Sequence, residues 1–282
     1  MENRVIKASD GYPLSVIYRT PVGESNGTIV LSSATAVKKE FYINFAEFLV
    51  KNGYNVLLFD YRGIGKSAPE NIKDCTSYMH DWGVFDMSAV INFLVNEKKI
   101  KDIIWLGHSV GAQLIGFVDN IQYVKKIIAV NAALGYWKYM PAPQRINIWL
   151  LWYVISPVLV KIYGYGTMQK VGWGENLPKN IFLEWRKWCM SKNYYRDCVK
   201  DILNTEKFYN VKVPYTAVYT SDDYIANDKT VHLMTKFFPN AAVKILKIET
   251  KRYSSLKVGH TGIFRKQFHN TLWPELVRII EE

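Results

Sequence analysis

The sequence predicts an α/β fold, a mainly parallel central sheet covered by helices on both faces and interrupted by one long insertion. Three observations carry this reading. Short β-rich runs alternate with stretches of helical periodicity from Leu14 to Val130. The alternation stops between Leu134 and Lys207, where six of the nine tryptophans fall. It resumes at Tyr215 and continues to the C-terminal end, which divides the chain into a core of residues 1–133 and 208–282 and an aromatic-rich helical insertion, 134–207.

The elements follow in order. Leu14 to Thr20 alternates with period two, and Thr28 to Ser33 is an almost wholly apolar run after Gly27, as a strand buried on both faces requires. Phe41, Phe45, Phe48 and Leu49 share one helical stripe that Asn52-Gly53 ends. Val56 to Tyr61 reads as a strand, Val84 to Val95 as a helix, Ile103 to Leu106 as a strand, Val110 to Val118 as a helix and Val124 to Val130 as a strand. After the insertion come the strand Tyr215 to Tyr219, a helix from Asp228 to Phe238, the strand Val243 to Ile248 and a last helix from Gly262 to Ile280.

Composition excludes whole classes. A chain of 282 residues, 49% hydrophobic against 22% charged, buries a large core and is neither disordered nor fibrous. Cys75, Cys189 and Cys198 are odd in number and lack CxxC spacing, which argues against a disulfide framework and for a reducing compartment. Met1 to Ser15 is polar and unlike a secretory leader, so a cytoplasmic location is expected. The longest apolar stretch, Ile148 to Val160, is interrupted by Ser156 and Pro157 and stopped by Lys161, short of the ~20 residues of a membrane span. No span is expected, and weak peripheral membrane contact through that stretch is the remaining membrane reading. Net charge is +11, yet lysines outnumber arginines 27 to 9 and are scattered, which fits a solvated basic surface better than a nucleic-acid interface. Oligomeric state is not written in these patterns.

The most informative motif is Gly107-His108-Ser109-Val110-Gly111, between a strand and a helical run. A serine pushed out of a sharp strand-to-helix turn needs a strained backbone and very small residues two before and two after it, and the following helix aims free N–H groups at developing negative charge. Two further segments matter: Thr220-Ser221-Asp222-Asp223-Tyr224 at the end of a strand, and Gly259-His260-Thr261-Gly262-Ile263-Phe264 after one more helix and strand. Among the histidines, His108 is fixed beside the serine, His232 and His269 lie inside helical runs, His80 belongs to a loop, and His260 lies in the last of these segments. There is no GxxxxGK[ST], no HExxH and no His/Cys cluster, so neither a cofactor nor a metal is expected. Gly63-x-Gly65-x-x-Ala68 satisfies part of a dinucleotide fingerprint but runs into Pro69 and a polar loop, and reads better as a tight turn braced by Asp60 and Arg62.

With these residues the sequence resembles the α/β-hydrolase family, whose order of nucleophile, acid and histidine is met by Ser109, Asp223 and His260. Phe41-Tyr42 with Phe45-Ala46, Asp60 to Ser67, Asp81-Trp82-Gly83, Trp185 to Cys189 and Asp222-Asp223 extend the likeness to a little-characterised group of bacterial α/β-hydrolases. The resemblance implies an acyl-transfer serine hydrolase with Ser109 as nucleophile, His260 as base and Asp223 as acid, Asp222 being the second choice. It implies oxyanion-hole amides on Val110 and on Ala34, with Thr35 second. That group carries glycine before Val37, where this chain has Ala36. The insertion corresponds to a helical cap, in which Trp149, Trp152, Tyr153, Trp185 and Trp188 are the candidate substrate-binding residues; packing of the cap itself is the competing role for such rings. The implied substrate is a small carboxylic ester or thioester with an apolar acyl or aryl part. Amide or peptide hydrolysis by the same residues, and a non-catalytic binding module on the same fold, are the alternatives.

Overall fold

The computed structural model describes residues 2–282. Eight strands form one sheet: β1 (Glu2–Lys7), β2 (Pro13–Arg19), β3 (Thr28–Ser32), β4 (Asn55–Phe59), β5 (Ile103–His108), β6 (Val124–Val130), β7 (Pro214–Thr220) and β8 (Ala242–Ile248), in the order β1-β2-β4-β3-β5-β6-β7-β8. β1 and β2 run antiparallel, and the rest are parallel from β4 to β8. The helices are α1 (Ile43–Lys51), α2 (Ser88–Asn96), α3 (Val110–Gln113), α4 (Ala142–Leu150), α5 (Ser156–Tyr163), α6 (Lys179–Met190), α7 (Tyr195–Val199), α8 (Asp228–Thr235), α9 (Gly259–Gly262) and α10 (Leu272–Glu281).

The pleat of the central strands sorts their side chains between two cores. Ile29, Leu31, Val56, Leu58, Leu106 and Ile128 face one side, against Phe45 and Leu49 of α1 and Leu272, Trp273 and Leu276 of α10. Val30, Leu57, Phe59, Trp105 and Ile127 face the other, against α2 and the insertion. This two-sided burial is the fold of the α/β-hydrolases, with a mostly parallel sheet between helical layers.

Five expectations change. β1 has no counterpart in the sequence reading, because an edge strand that pairs only with β2 needs little apolar patterning. The helix expected from Val110 to Val118 is one α-turn followed by a 3₁₀ turn, and that from Gly262 to Ile280 divides into α9, a 3₁₀ turn and α10, with Arg265 extended between them. The helix ending in α2 begins with a π-helical turn, Trp82–Met87.

The fifth lies in the insertion, between β6 and β7. Ser156 and Pro157 do not interrupt the chain: α4, a π-helical turn over Leu151–Ile155 and α5 form a continuous helix of 22 residues, long and apolar enough to cross a membrane by length and composition. Proline removes one N–H from such a ladder, and the π-turn absorbs the loss. The Trp152 carbonyl, five residues before Pro157, accepts instead from Arg186 Nε at 2.6 Å and from Ser156 Oγ at 3.4 Å.

Candidate active site

β5 delivers the Gly107–Gly111 turn to the C-terminal edge of the sheet. Ser109 sits there at φ 53° and ψ −118°, a conformation in which a non-glycine residue is strained. The flanking glycines permit the turn: a Cβ on Gly107 would lie 2.5 Å from the backbone of Gly111, and one on Gly111 would collide with the Ser32 carbonyl of β3.

The other two segments meet this turn. His260 Nε2 lies 3.0 Å from Ser109 Oγ, and His260 Nδ1 lies 2.6 Å from Asp223 Oδ2. A carboxylate can only accept, so Nδ1 carries the hydrogen and Nε2 is left to accept from the serine hydroxyl. Asp223 is buried; burial alone would raise its pKa, but the His260 ring and the amides of Ile225 and Ala226 outweigh it and hold the carboxyl below its ordinary range. Asp222 points elsewhere. Its two oxygens accept from the amides of Val258 (2.7 Å) and Gly259 (3.0 Å), fixing the loop that carries His260.

Two residues that the sequence reading did not single out for the site also hold that loop. Asn131, after β6, donates to the His260 carbonyl at 2.8 Å and accepts from the Thr220 amide at 3.0 Å. Tyr42, before α1, lies 2.7 Å from His108 Nδ1 and receives the Ala34 amide at 3.0 Å. No local pattern marks either one, because His108 lies 66 residues from Tyr42 and His260 lies 129 from Asn131.

That second bond corrects the oxyanion expectation. The Ala34 N–H is engaged by Tyr42 and is not free to meet a substrate oxygen. The Thr35 amide, the second choice, has no partner among the described residues and lines the cavity. Val110 opens α3 directly after the serine, and its amide likewise has no partner there. Ala36 stands in the left-handed region at φ 60°, in a turn closed by the Val37 amide on the Ala34 carbonyl, a conformation that a glycine would adopt with less strain.

Asp60 and Arg62 lie behind this loop. Asp60, buried, pairs with Lys39 Nζ and accepts from the Lys39 amide at 2.8 Å and the Lys66 amide at 3.0 Å. Arg62 bonds Asp86 at 2.7 Å and Asp10 at 2.7 Å and stacks over Tyr12 and Phe85.

Ser109 and His260 open into a cavity of about 470 Å³. Trp152, Trp173, Trp185, Ile148 and Met140 wall it, with Gln113 and Tyr194 beyond the serine. Of the five expected substrate-binding rings, only Trp152 and Trp185 line this space. Trp149 and Tyr153 stack on each other 5.7 Å apart on the outward face of their helix, 40% exposed each, because they lie about 100° around the helix from Ile148 and Trp152. Trp188 is fully buried against Tyr194 and Tyr195, packed in the seam rather than in the cavity. Trp173, Phe41 and Tyr224 are lining rings that the sequence reading did not assign to substrate; Gly174, at φ 106°, lets the Trp173 loop approach the Ala36 carbonyl, which accepts from the Glu175 amide at 2.7 Å. Among the described residues no group of three or more His, Cys, Asp or Glu side chains could hold a metal ion.

Residues 23–181, more than half of the chain, match the family described as serine aminopeptidase, S33. The protein belongs to the S33 family of α/β-hydrolases. No curated protein matches the sequence. Solved structures similar to this S33 hydrolase include an esterase from Exiguobacterium antarcticum (TM-score 0.61, 15% identity, all of both chains covered) and an esterase from Pyrococcus furiosus (TM-score 0.62, 16% identity, 99% of this chain and 89% of that one). A bromoperoxidase from Bacillus anthracis is similar in the same way (TM-score 0.56, 14% identity, all of both chains). At such identities the likeness concerns the fold, and an S33 hydrolase of this shape still requires its chemistry to be argued from its own residues.

Proposed function

We propose that this S33 hydrolase cleaves a carboxylic ester or thioester with an apolar acyl or aryl part, through an acyl-enzyme on Ser109. The observation that carries the reading is the hydrogen-bonded chain Asp223–His260–Ser109 at the floor of an aromatic-walled cavity. Its volume lies in the range of small-molecule pockets, and its walls offer apolar area.

Ser109 Oγ attacks the acyl carbon while its proton passes to His260 Nε2. Asp223 stays ionised, keeps the ring in the required tautomer and stabilises its cationic form. The oxyanion accepts hydrogen bonds from the amides of Val110 and Thr35. Collapse breaks the bond to the leaving alkoxide or thiolate, which takes the proton from Nε2. Water then attacks the acyl-enzyme by the same route and restores Ser109. In this scheme residues 134–207 act as a cap that shields the site from water and sizes the acyl pocket.

The family description favours a second reading, hydrolysis of a peptide bond. Recognition of a free amino terminus needs a carboxylate near the serine, and the one lining the cavity, Glu175, lies 3.4 Å from Lys38 Nζ. The ester reading therefore stands first. It is tested with p-nitrophenyl esters of graded acyl length alongside Ser109→Ala. Turnover that the variant abolishes supports it, with longer acyl chains preferred over acetate. Equal background rates in both proteins, or turnover of aminoacyl anilides alone, would overturn it.

A further inference from the structure

The helix formed by α4, the π-turn and α5 has two apolar faces, and only one of them has a partner. Ile148, Leu151, Trp152, Ser156 and Val160 are buried on the inner face. On the outer face Ile146, Trp149, Tyr153, Val154, Val158 and Ile162 follow the helical repeat and are 40 to 67% exposed. A solvated helix carries polar side chains on that side. An apolar stripe of this length at the surface marks a contact with something else.

The charges around the stripe say what that is. From Asn120 to Gly174 the sequence contains no aspartate or glutamate, and its six charged residues are Lys125, Lys126, Lys138, Arg145, Lys161 and Lys170. Arg145 and Lys161 lie on the helix itself, with Lys138 and Lys170 just before and after it; all four are exposed, and none makes an ion pair among the described residues. A second copy of the chain docking through the same face would set these cations against each other. An anionic lipid surface satisfies both features at once, taking the apolar stripe below the headgroups and the cations among the phosphates. The helix is not inserted across a bilayer: its inner face packs on the protein core, and the chain leaves from and returns to neighbouring strands of one sheet.

We propose that the outer face of residues 142–163 docks this protein on the surface of an anionic phospholipid bilayer, lying in the plane of the interface. The inner face of the same helix carries Ile148 and Trp152 of the cavity, so docking brings the cavity within about one helix diameter, ~10 Å, of the lipid. The inference rests on the surface alone and does not depend on the ester reading.

The test is sedimentation of the full chain with vesicles of phosphatidylcholine or of phosphatidylcholine with phosphatidylglycerol, at low and high salt, without any hydrolysis readout. The wild-type protein is expected in the pellet with the anionic vesicles at low salt, with less bound at high salt. The triple variant Val154→Ser, Val158→Ser, Ile162→Ser replaces no residue that lines the cavity and is expected to bind about tenfold or more weakly, with an unchanged circular-dichroism spectrum. Should that variant fail to fold, Trp149 gives a second readout: brominated acyl chains in the anionic vesicles should quench wild-type fluorescence, and Trp149→Phe should lose most of that quenching. A wild-type protein that stays in the supernatant with both vesicle types at low salt overturns the proposal. So does a folded triple variant that binds as tightly as wild type, or a wild-type dimer that this variant converts to monomer.

Discussion

His108 Nε2 lies 2.9 Å from the backbone carbonyl of His260, so the residue beside Ser109 holds the loop that carries His260. Nε2 must donate to that carbonyl, which leaves the other ring nitrogen of a neutral imidazole to accept from the Tyr42 hydroxyl; Tyr42 in turn accepts from the Ala34 amide. One chain of three bonds thus ties the loop of Ala34 to the turn of Ser109 and to the loop of His260. Burial, followed by the neighbouring His260, pushes the His108 ring down to about 3, so it stays neutral and the direction of these bonds is fixed.

Tyr42→Phe deletes the middle of this chain and leaves the Ala34 amide and His108 Nδ1 buried without partners. A stability loss of about 1–3 kcal/mol is expected, with a lower kcat and little change in KM. Denaturant melts and steady-state kinetics on one ester check it; a variant that matches wild type in both would show that the bonds contribute nothing.

His108 also predicts a pH dependence of stability. Between its ordinary value near 6.5 and its folded value of about 3, the unfolded chain binds a proton that the folded chain does not, so this group's contribution is full above ~6.5 and is lost as pH falls, by about 1.4 kcal/mol per unit. His108→Asn removes the titration. The stability gap between wild type and this variant should therefore narrow from pH 7 to pH 5, and a constant gap would refute the assignment.

The two aspartates separate by substitution. Asp223→Asn leaves the geometry but can hold the wrong tautomer of His260, and about a 10⁴-fold fall in kcat is expected. Asp222→Asn weakens the bonds to the Val258 and Gly259 amides and should cost far less activity while lowering the melting temperature. Comparable losses of kcat in the two variants would contradict the geometry.

The inward and outward rings separate in the same way. Trp185→Ala removes a cavity wall and should lower kcat/KM on a long acyl ester by about tenfold or more while sparing acetate. Tyr153→Ala, on the outer face, should leave both substrates within about twofold of wild type. A similar acyl-length profile for the two variants would show that the cavity is not the acyl site.

Gly174→Ala tests the seam between the insertion and the core. Its Cβ would collide with the Ala36 carbonyl, and φ of 106° suits only glycine, so the loop bearing Trp173 must shift. A raised KM for long acyl esters and a lower melting temperature are expected. A variant indistinguishable from wild type would mean that the loop is not held there.

Much of this protein was legible in its sequence, because part of the information is local. Apolar runs with a period of two or 3.6 located β2 to β8 and α1, and the glycines around Ser109 marked a turn that only very small neighbours permit. The resemblance that implied the order of Ser109, Asp223 and His260 likewise rests on motifs a few residues long. Tertiary structure decided what depends on direction and on distant partners. It took the Ala34 amide for Tyr42, joined His108 to the His260 carbonyl across 152 positions, and carried a helix through Pro157 by lending the Trp152 carbonyl to Arg186. It also turned Trp152 into the cavity and Tyr153 out of it. Sequence periodicity ranks residues by hydrophobicity, and where both faces of a helix are apolar it cannot tell which one the rest of the chain will cover.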